Sequence, residues 1–147
     1  MDRTPEVISR LLLDRAPWDA IDDSFAARIP FDSPHESSDL LRRMVAAKTS
    51  TAHRFILDGQ RAGLLITRIE EGTAGKELVC QAMFAETPDG LPITELIGAA
   101  CENLARLEGC NCLRFHTCRP QMARFAADRF GYRLSELVMR KTLSPLS

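Results

Sequence analysis

Residues 76–85, Lys-Glu-Leu-Val-Cys-Gln-Ala-Met-Phe-Ala, constrain this chain more than any other stretch. Alternation puts Leu78, Cys80, Ala82 and Phe84 on one face of a strand and Val79 and Met83 on the other. A strand that is apolar on both faces is central and covered on both sides, so its sheet is a layer between helices. Directly after it, Ile93, Leu96, Ile97, Ala100, Cys101, Leu104 and Leu107 keep helical spacing, and Gly109 is placed to end that helix.

The remaining elements follow from local signals. Thr4-Pro5 opens a helix whose stripe is Val7, Ile8, Leu11 and Leu12, stopped by Pro17. Residues 17–34 read as a loop with at most one short helical turn, pinned by Trp18, Ile21, Phe25, Ile29 and Phe31. Ser33 and Glu36 form a capping box ahead of a helix that buries Leu40, Leu41, Met44 and Val45 and runs to about Lys48. Asp58-Gly59 between His53–Leu57 and Arg61–Glu70 marks a β-hairpin, because both residues tolerate positive φ. Asn111–Thr117 is a short strand. Arg119-Pro120 opens a helix with Met122, Phe125 and Ala126 inward, closed by Gly131, and Tyr132–Leu143 reads as a last strand. The expected architecture is α/β: a single-domain mixed β-sheet flanked by helices on both faces. Residues 1–34 form an acidic N-terminal helix and loop packed on the domain, and residues 35–147 form its core.

With 147 residues, 45% apolar and 27% charged, the chain can bury a core without a metal or disulfide staple. The apolar runs are too short to span a membrane, and no basic start with an apolar stretch marks a secretory signal. Five cysteines in no small-domain pattern point to a reducing, cytoplasmic setting without disulfides. A net charge of −1 excludes a globally basic nucleic-acid binder. The charge is uneven: residues 1–40 hold nine acids and four arginines, whereas residues 101–147 hold eight basic residues and four acids.

The segment Pro120-Gln-Met-Ala123-Arg-Phe-Ala-Ala127-Asp-Arg-Phe-Gly131-Tyr132 resembles the GNAT acyltransferase superfamily, as does the element order over residues 35–143. In size and ending the chain is similar to short phage-encoded GNAT-like proteins, some carried in virions. The resemblance implies a loop between the central strand and the long helix whose amides hold the coenzyme A pyrophosphate at the helix N-terminus. Here that stretch is Ala85-Glu86-Thr87-Pro88-Asp89-Gly90-Leu91-Pro92-Ile93. One glycine remains, two prolines remove amide donors, and Glu86 and Asp89 would repel phosphate. The family's acid tyrosine corresponds to Ala127 and its asparagine to Pro120, while Tyr132 stands at the usual phenylalanine.

Three other groupings bear on function. Cys112, Arg114, His116 and Cys118 share one face of a strand, but same-face neighbours about 7 Å apart cannot all reach one metal ion. His116 could serve Cys112 or Cys118 as a base for nucleophilic chemistry, although no orienting acid is apparent. Arg114, Arg119, Arg124, Arg129 and Arg133 could form a basic strip, but five-residue steps along a helix disperse them.

Two functions stay open. One is a module that has lost acyl-CoA binding, needs no cofactor, and uses its surface for a protein partner or a second copy, within a cell or a phage particle. The other is an acyl-CoA-dependent N-acyltransferase using acetyl-CoA, with Glu86 or His116 as base; His53, expected at a solvated strand end, is the remaining base candidate. The degenerate loop Glu86, Asp89 and Gly90 favours the first.

Overall fold

The computed structural model describes residues 11–31, 36–87, 93–117 and 119–145. The chain forms two compact units, Met1–His116 and Thr117–Ser147. The first holds a five-stranded mixed sheet in the order β1-β2-β3-β4-β5, with β1 to β4 antiparallel in sequence and β5 parallel to β4.

β1 (Leu11–Asp14) corrects the expected N-terminal helix. Leu11 and Leu12 do show helical spacing with Val7 and Ile8, but pairing with β2 (Thr51–Leu57) outweighs that local preference. Leu11 and Leu13 then join the core, while Leu12 is left 59% exposed. Residues 1–10, with the Thr4-Pro5 start signal, lie outside the described residues.

The loop expected over residues 17–34 contains a real helix, α1 (Ala20–Ala26). The Asp19 carboxylate accepts from the Ile21 and Asp22 amides, and the Asp22 carboxylate accepts in return from the Asp19 amide, at 3.0 Å each. An aspartate-to-aspartate box of this kind satisfies amides that would otherwise be left over. Phe25 and Ile29 are buried as expected, and Trp18 and Phe31 pack on them, but Ile21 points outward. α2 (Ser38–Ala46) is capped by Ser37, whose hydroxyl accepts from the Leu40 amide at 3.2 Å. The Ser33–Glu36 box thus gives way to a cap four residues later, and Ser33 itself lies outside the described residues.

β2 and β3 (Gln60–Gly72) meet at Asp58 and Gly59, whose φ values of 47° and 83° are the ones the hairpin needs. β4 (Gly75–Ala85) is central as expected. Its faces are not those of simple alternation, however. Cys80 pairs with Thr67 and Ala82 with Ile66, so Gln81 is an extra residue in the ladder. Leu78, Cys80 and Met83 therefore pack towards α3 (Thr94–Leu107), and Ala82 and Phe84 pack towards α1 and α2.

Two apolar cores result, one on each side of the sheet. Leu65, Leu78 and Phe55 meet Ile93, Cys101, Leu104 and Ala105 on one side; Leu64 and Ile66 meet Phe25, Ala26 and Leu41 on the other. α3 ends at Gly109, with φ 75°, as its sequence indicates, but Leu107 is 85% exposed. β5 (Cys112–Phe115) follows.

The second unit contains α4 (Pro120–Phe130), opened by Pro120 and closed by Gly131 at φ 71°. Ala126 is buried and the Phe125 and Phe130 rings are 6.0 Å apart. The strand expected at 132–143 is not formed: residues 131–145 carry no regular element. A strand requires a partner for its backbone groups, and none of the described strands pairs with this segment. Leu134, Leu137, Met139 and Leu143 stay exposed.

Gly63 on β3 lies against the end of β4, where a Cβ would collide with the Phe84 carbonyl oxygen and the Ala85 backbone. Backbone atoms in a ladder cannot rotate aside as side chains do. Gly63→Ala should therefore cost about 1–3 kcal/mol, the range for overpacked sites. Urea unfolding measures it, and an unchanged midpoint would contradict this close approach.

Candidate active site

β4 is longer than the strand beside it. The β4–β5 ladder runs from Glu77 opposite Cys112 to Cys80 opposite Phe115 and stops there. From Gln81 to Ala85, β4 keeps β3 on one side, and no described strand pairs with it on the other. The chain then leaves through Glu86 and Thr87 and enters α3 at Thr94. Ile93, at the helix cap position, offers no side-chain hydrogen bond to the first amides.

Glu86 closes β4. Its amide donates to the Ala62 carbonyl at 2.9 Å, which prolongs the β3 contact by one residue. Its carboxylate pairs with Arg28 at 2.8 Å, both side chains being about half exposed. The Arg28 guanidinium also lies 4.4 Å from the centre of the Phe84 ring, which in turn contacts Phe25 at 6.0 Å. Arg28, just past the end of α1, was missed in the sequence. No local motif links it to Glu86; only the packing of α1 on the sheet brings the two together. Asp89 and Gly90, the other residues of the degenerate loop, lie outside the described residues.

The position of α1 is itself set by charge. Asp22 is 1% exposed, and its carboxylate takes Arg54 at 3.1 Å and a short contact from Arg61. Arg61 also grips Asp19 at 2.8 Å, and Arg54 donates to the Pro17 carbonyl at 2.7 Å. The amide of Asp22 and the Arg61 guanidinium hold the Asp19 carboxyl at a pKa of about 2. A buried carboxylate facing two guanidinium groups is compensated where a lone one would not be.

The remaining candidates are dispersed. His116 is exposed just beyond β5, level with Gln81, so Glu86 lies about 16 Å further along β4 at about 3.3 Å per residue. The two are not an acid–base pair. Cys112 starts β5, about 13 Å from His116 by the same rise, and its thiol donates to Glu77 at 3.0 Å. No Cys112–His116 dyad forms, and Cys118 lies outside the described residues. Arg114 is bound to Glu70 at 2.9 Å and Glu77 at 3.1 Å, which removes it from the expected basic strip. An open cavity of about 430 Å³ lies at this opposite end of β4, beside Glu70, Glu77, Asn111 and Cys112. Among the described residues, no three His, Cys, Asp or Glu side chains come together to hold a metal, and no helix is long and apolar enough to cross a membrane.

No family model matches this sequence, and no curated protein matches it. Solved structures do. A Trypanosoma brucei acetyltransferase is 18% identical, with a TM-score of 0.58 over 90% of this chain and 99% of that one. An aminoglycoside acetyltransferase from an uncultured soil sample, solved with sisomicin, is 13% identical, with a TM-score of 0.59 over 91% and 97%. A ribosomal-protein-alanine N-acetyltransferase from Brucella melitensis is 14% identical, with a TM-score of 0.60 over 91% and 100%. At these identities the likeness concerns the fold: the chain has the GNAT-like architecture that its sequence resembles.

His53 needs a correction. It is 3% exposed, not solvated, and its Nε2 lies 3.1 Å from the Thr67 hydroxyl. Burial, and then the Arg15 charge, lower its pKa from 6.5 to about 4, so it serves as a neutral buried group. The unfolded chain takes up a proton at about pH 6.5 that the folded chain refuses until about pH 4. This contribution to stability is therefore complete above about pH 6.5 and is lost as the pH falls through that window. Unfolding free energy should drop by about 2 kcal/mol between about pH 7.5 and pH 5. Denaturant titrations should show His53→Gln flattening that slope; an equal slope in the variant would count against the burial argument.

Proposed function

We propose that the protein is an acetyl-CoA-dependent N-acetyltransferase that acts on an amine, with Glu86 as the general base. The observation that carries this reading is the unequal length of β4 and β5. The β4 edge from Gln81 to Ala85 is where an extended arm bearing amide groups can be received in place of a strand, as peptide ligands are received at sheet edges. The long arm of acetyl-CoA carries two such amides. The first amides of α3, which take no side-chain hydrogen bond from Ile93, and the cation of Arg28 suit its phosphates.

Of the two acidic loop residues, Glu86 bears on this fit, while Asp89 lies outside the described residues. Glu86 was expected to repel phosphate, but it is paired with Arg28. Bound acetyl-CoA would supply a thioester whose carbonyl carbon would gain the bond to the amine nitrogen as its C–S bond breaks, coenzyme A leaving as a thiolate that takes up a proton from water. Glu86, at the mouth of the open β4 edge, takes the proton that the amine gives up; Arg28, which lies over the Phe84 ring, pairs with that carboxylate. Aminoglycosides and protein N-termini, named for two of the structural neighbours, are the first acceptor classes to try.

A protein-binding module is the second reading, favoured by the exposed Leu134, Leu137, Met139 and Leu143. Calorimetry and thermal unfolding separate the two. Acetyl-CoA should bind with a dissociation constant below about 1 mM, the upper range for enzyme substrates. At 100 times that constant it should stabilise the fold by about 2.7 kcal/mol. Glu86→Gln should keep the binding and lower acetyl transfer by about 100-fold or more. Absence of any thermal shift at millimolar acetyl-CoA would return the protein to the module reading.

A further inference from the structure

Asp22 is a buried charge with no place in the proposed reaction. Its side chain is 2% exposed and faces Arg54 of β2 at 3.1 Å and Arg61 of β3 in a shorter contact. Ion pairs buried in this way are weak stabilisers, because the cost of drying the charges offsets their attraction. Two further groups add to that cost here. Among the described residues, the Nε groups of Arg54 and Arg61 are buried and have no hydrogen-bond partner. A network with such gaps is better suited to fixing a direction than to adding stability.

We propose that Asp22 is a positioning residue: clasped by Arg54 and Arg61, it fixes the rotation of α1 and so places Arg28 for the phosphates of acetyl-CoA. The inference rests on the site proposed above. The path through the chain is short. Asp22 lies in the first turn of α1, and beyond the other end the Arg28 amide donates to the Phe25 carbonyl at 3.0 Å. The backbone of Arg28 therefore moves with the helix. From there the guanidinium lies over the Phe84 ring, 4.4 Å from its centre, and pairs with Glu86 at 2.8 Å.

Apolar contacts alone would leave that placement loose. Phe25, Ala26 and Ile29 bury surface against Leu64 and Ile66, but such burial is non-directional. An α-helix turns by about 100° per residue, so a modest rotation would carry Arg28 off the ring. Planar guanidinium forks from two neighbouring strands accept the Asp22 carboxylate in few orientations. Asp19 shares both guanidinium groups, but its side chain is 43% exposed, so its pairs are screened where those of Asp22 are not.

Arg28 can be followed without a ligand. Protons above an aromatic ring are shifted upfield, so the NMR spectrum of the ligand-free protein should show that shift on the Arg28 side chain, and Phe84→Leu should abolish it. In Asp22→Asn the shift should fall towards its value in Phe84→Leu. Calorimetry should then give about 10-fold weaker acetyl-CoA binding, a usual size for coupling between sites. In an Arg28→Ala background the same substitution should change the affinity by less than about 2-fold, because the side chain it acts through is gone. A merely structural role would lower the melting temperature in both backgrounds and leave the Arg28 shift of the folded protein where it was. If Asp22→Asn does not fold, Asp22→Leu combined with Arg54→Met and Arg61→Met takes its place. Apolar replacement of buried ions often preserves stability, yet the shift and the affinity should still be lost. No upfield shift in the wild type, an unchanged shift in the folded variant, or an equal loss of affinity in both backgrounds would overturn the proposal. If the wild type binds no acetyl-CoA, the proposed function fails, and the Arg28 shift still decides whether Asp22 positions that side chain.

Discussion

The ladder along β4 changes character at Cys80 and Gln81, and much else depends on that change. From Glu77 to Cys80 the strand is paired on both sides; beyond Cys80, among the described strands, β3 alone holds it. Gln81 is the extra residue that shifts the register, and its side chain accepts from the Ser50 hydroxyl at 2.6 Å. A bulge re-aims everything after it. Ala82 and Phe84 turn towards α1, so the end of β4 is supported from that side, and the Phe84 ring becomes the floor on which Arg28 rests. Without the extra residue, Phe84 would face α3, as simple alternation with Leu78 and Cys80 implies, and Arg28 would have no aromatic surface beside Glu86.

The placement of Arg28 also needs α1 to be held in one position, and a seven-residue helix cannot do this alone, since isolated helices of that length are not stable in water. Two sets of contacts fix it. Phe25, Ala26 and Ile29 bury apolar surface against Leu64 and Ile66. At the start of the helix, Asp19 and Asp22 engage Arg54 of β2 and Arg61 of β3. The first set supplies most of the free energy, because burial of a large apolar side chain stabilises by about 1.5–3 kcal/mol. The second is directional: two planar guanidinium groups from neighbouring strands admit few orientations of a helix that presents two carboxylates.

What could be read from sequence divides along physical lines. The hairpin at Asp58-Gly59, the α3 stripe with Gly109, and α4 between Pro120 and Gly131 depend on interactions within a few residues, and all were legible. β1 was not, because Leu11–Asp14 becomes a strand only when β2 offers an edge. α1 was hidden because its box uses aspartate where glutamate or glutamine is the usual sign. The burial of His53 was hidden because a polar residue at the start of an apolar run reads as a strand end; its neighbour Thr67 is reached only across the hairpin. In the candidate site, Glu86 was legible as the residue that ends β4, while Arg28 was not, since the contact is purely tertiary. The fold-level resemblance held where the loop motif did not, because element order is carried by many residues and a phosphate loop by very few.

Magnitudes decide how much the altered loop weighs against cofactor binding. Two unit charges 4 Å apart interact by about 1 kcal/mol in water and about 4 kcal/mol at the effective dielectric of a protein surface. In the proposed complex, an unpaired Glu86 would place a repulsion of that order next to the phosphates. Paired with Arg28 at 2.8 Å, it presents a dipole in place of a net charge, and the repulsion largely cancels. The pair itself, with both partners about half exposed, contributes little to stability, so an incoming anion can rearrange it at small cost. A pair that weak is poorly explained as a structural clasp. Under the proposed function, its location at the end of the one-sided stretch of β4 would let it offer a ligand the guanidinium for a phosphate or the carboxylate for an amine.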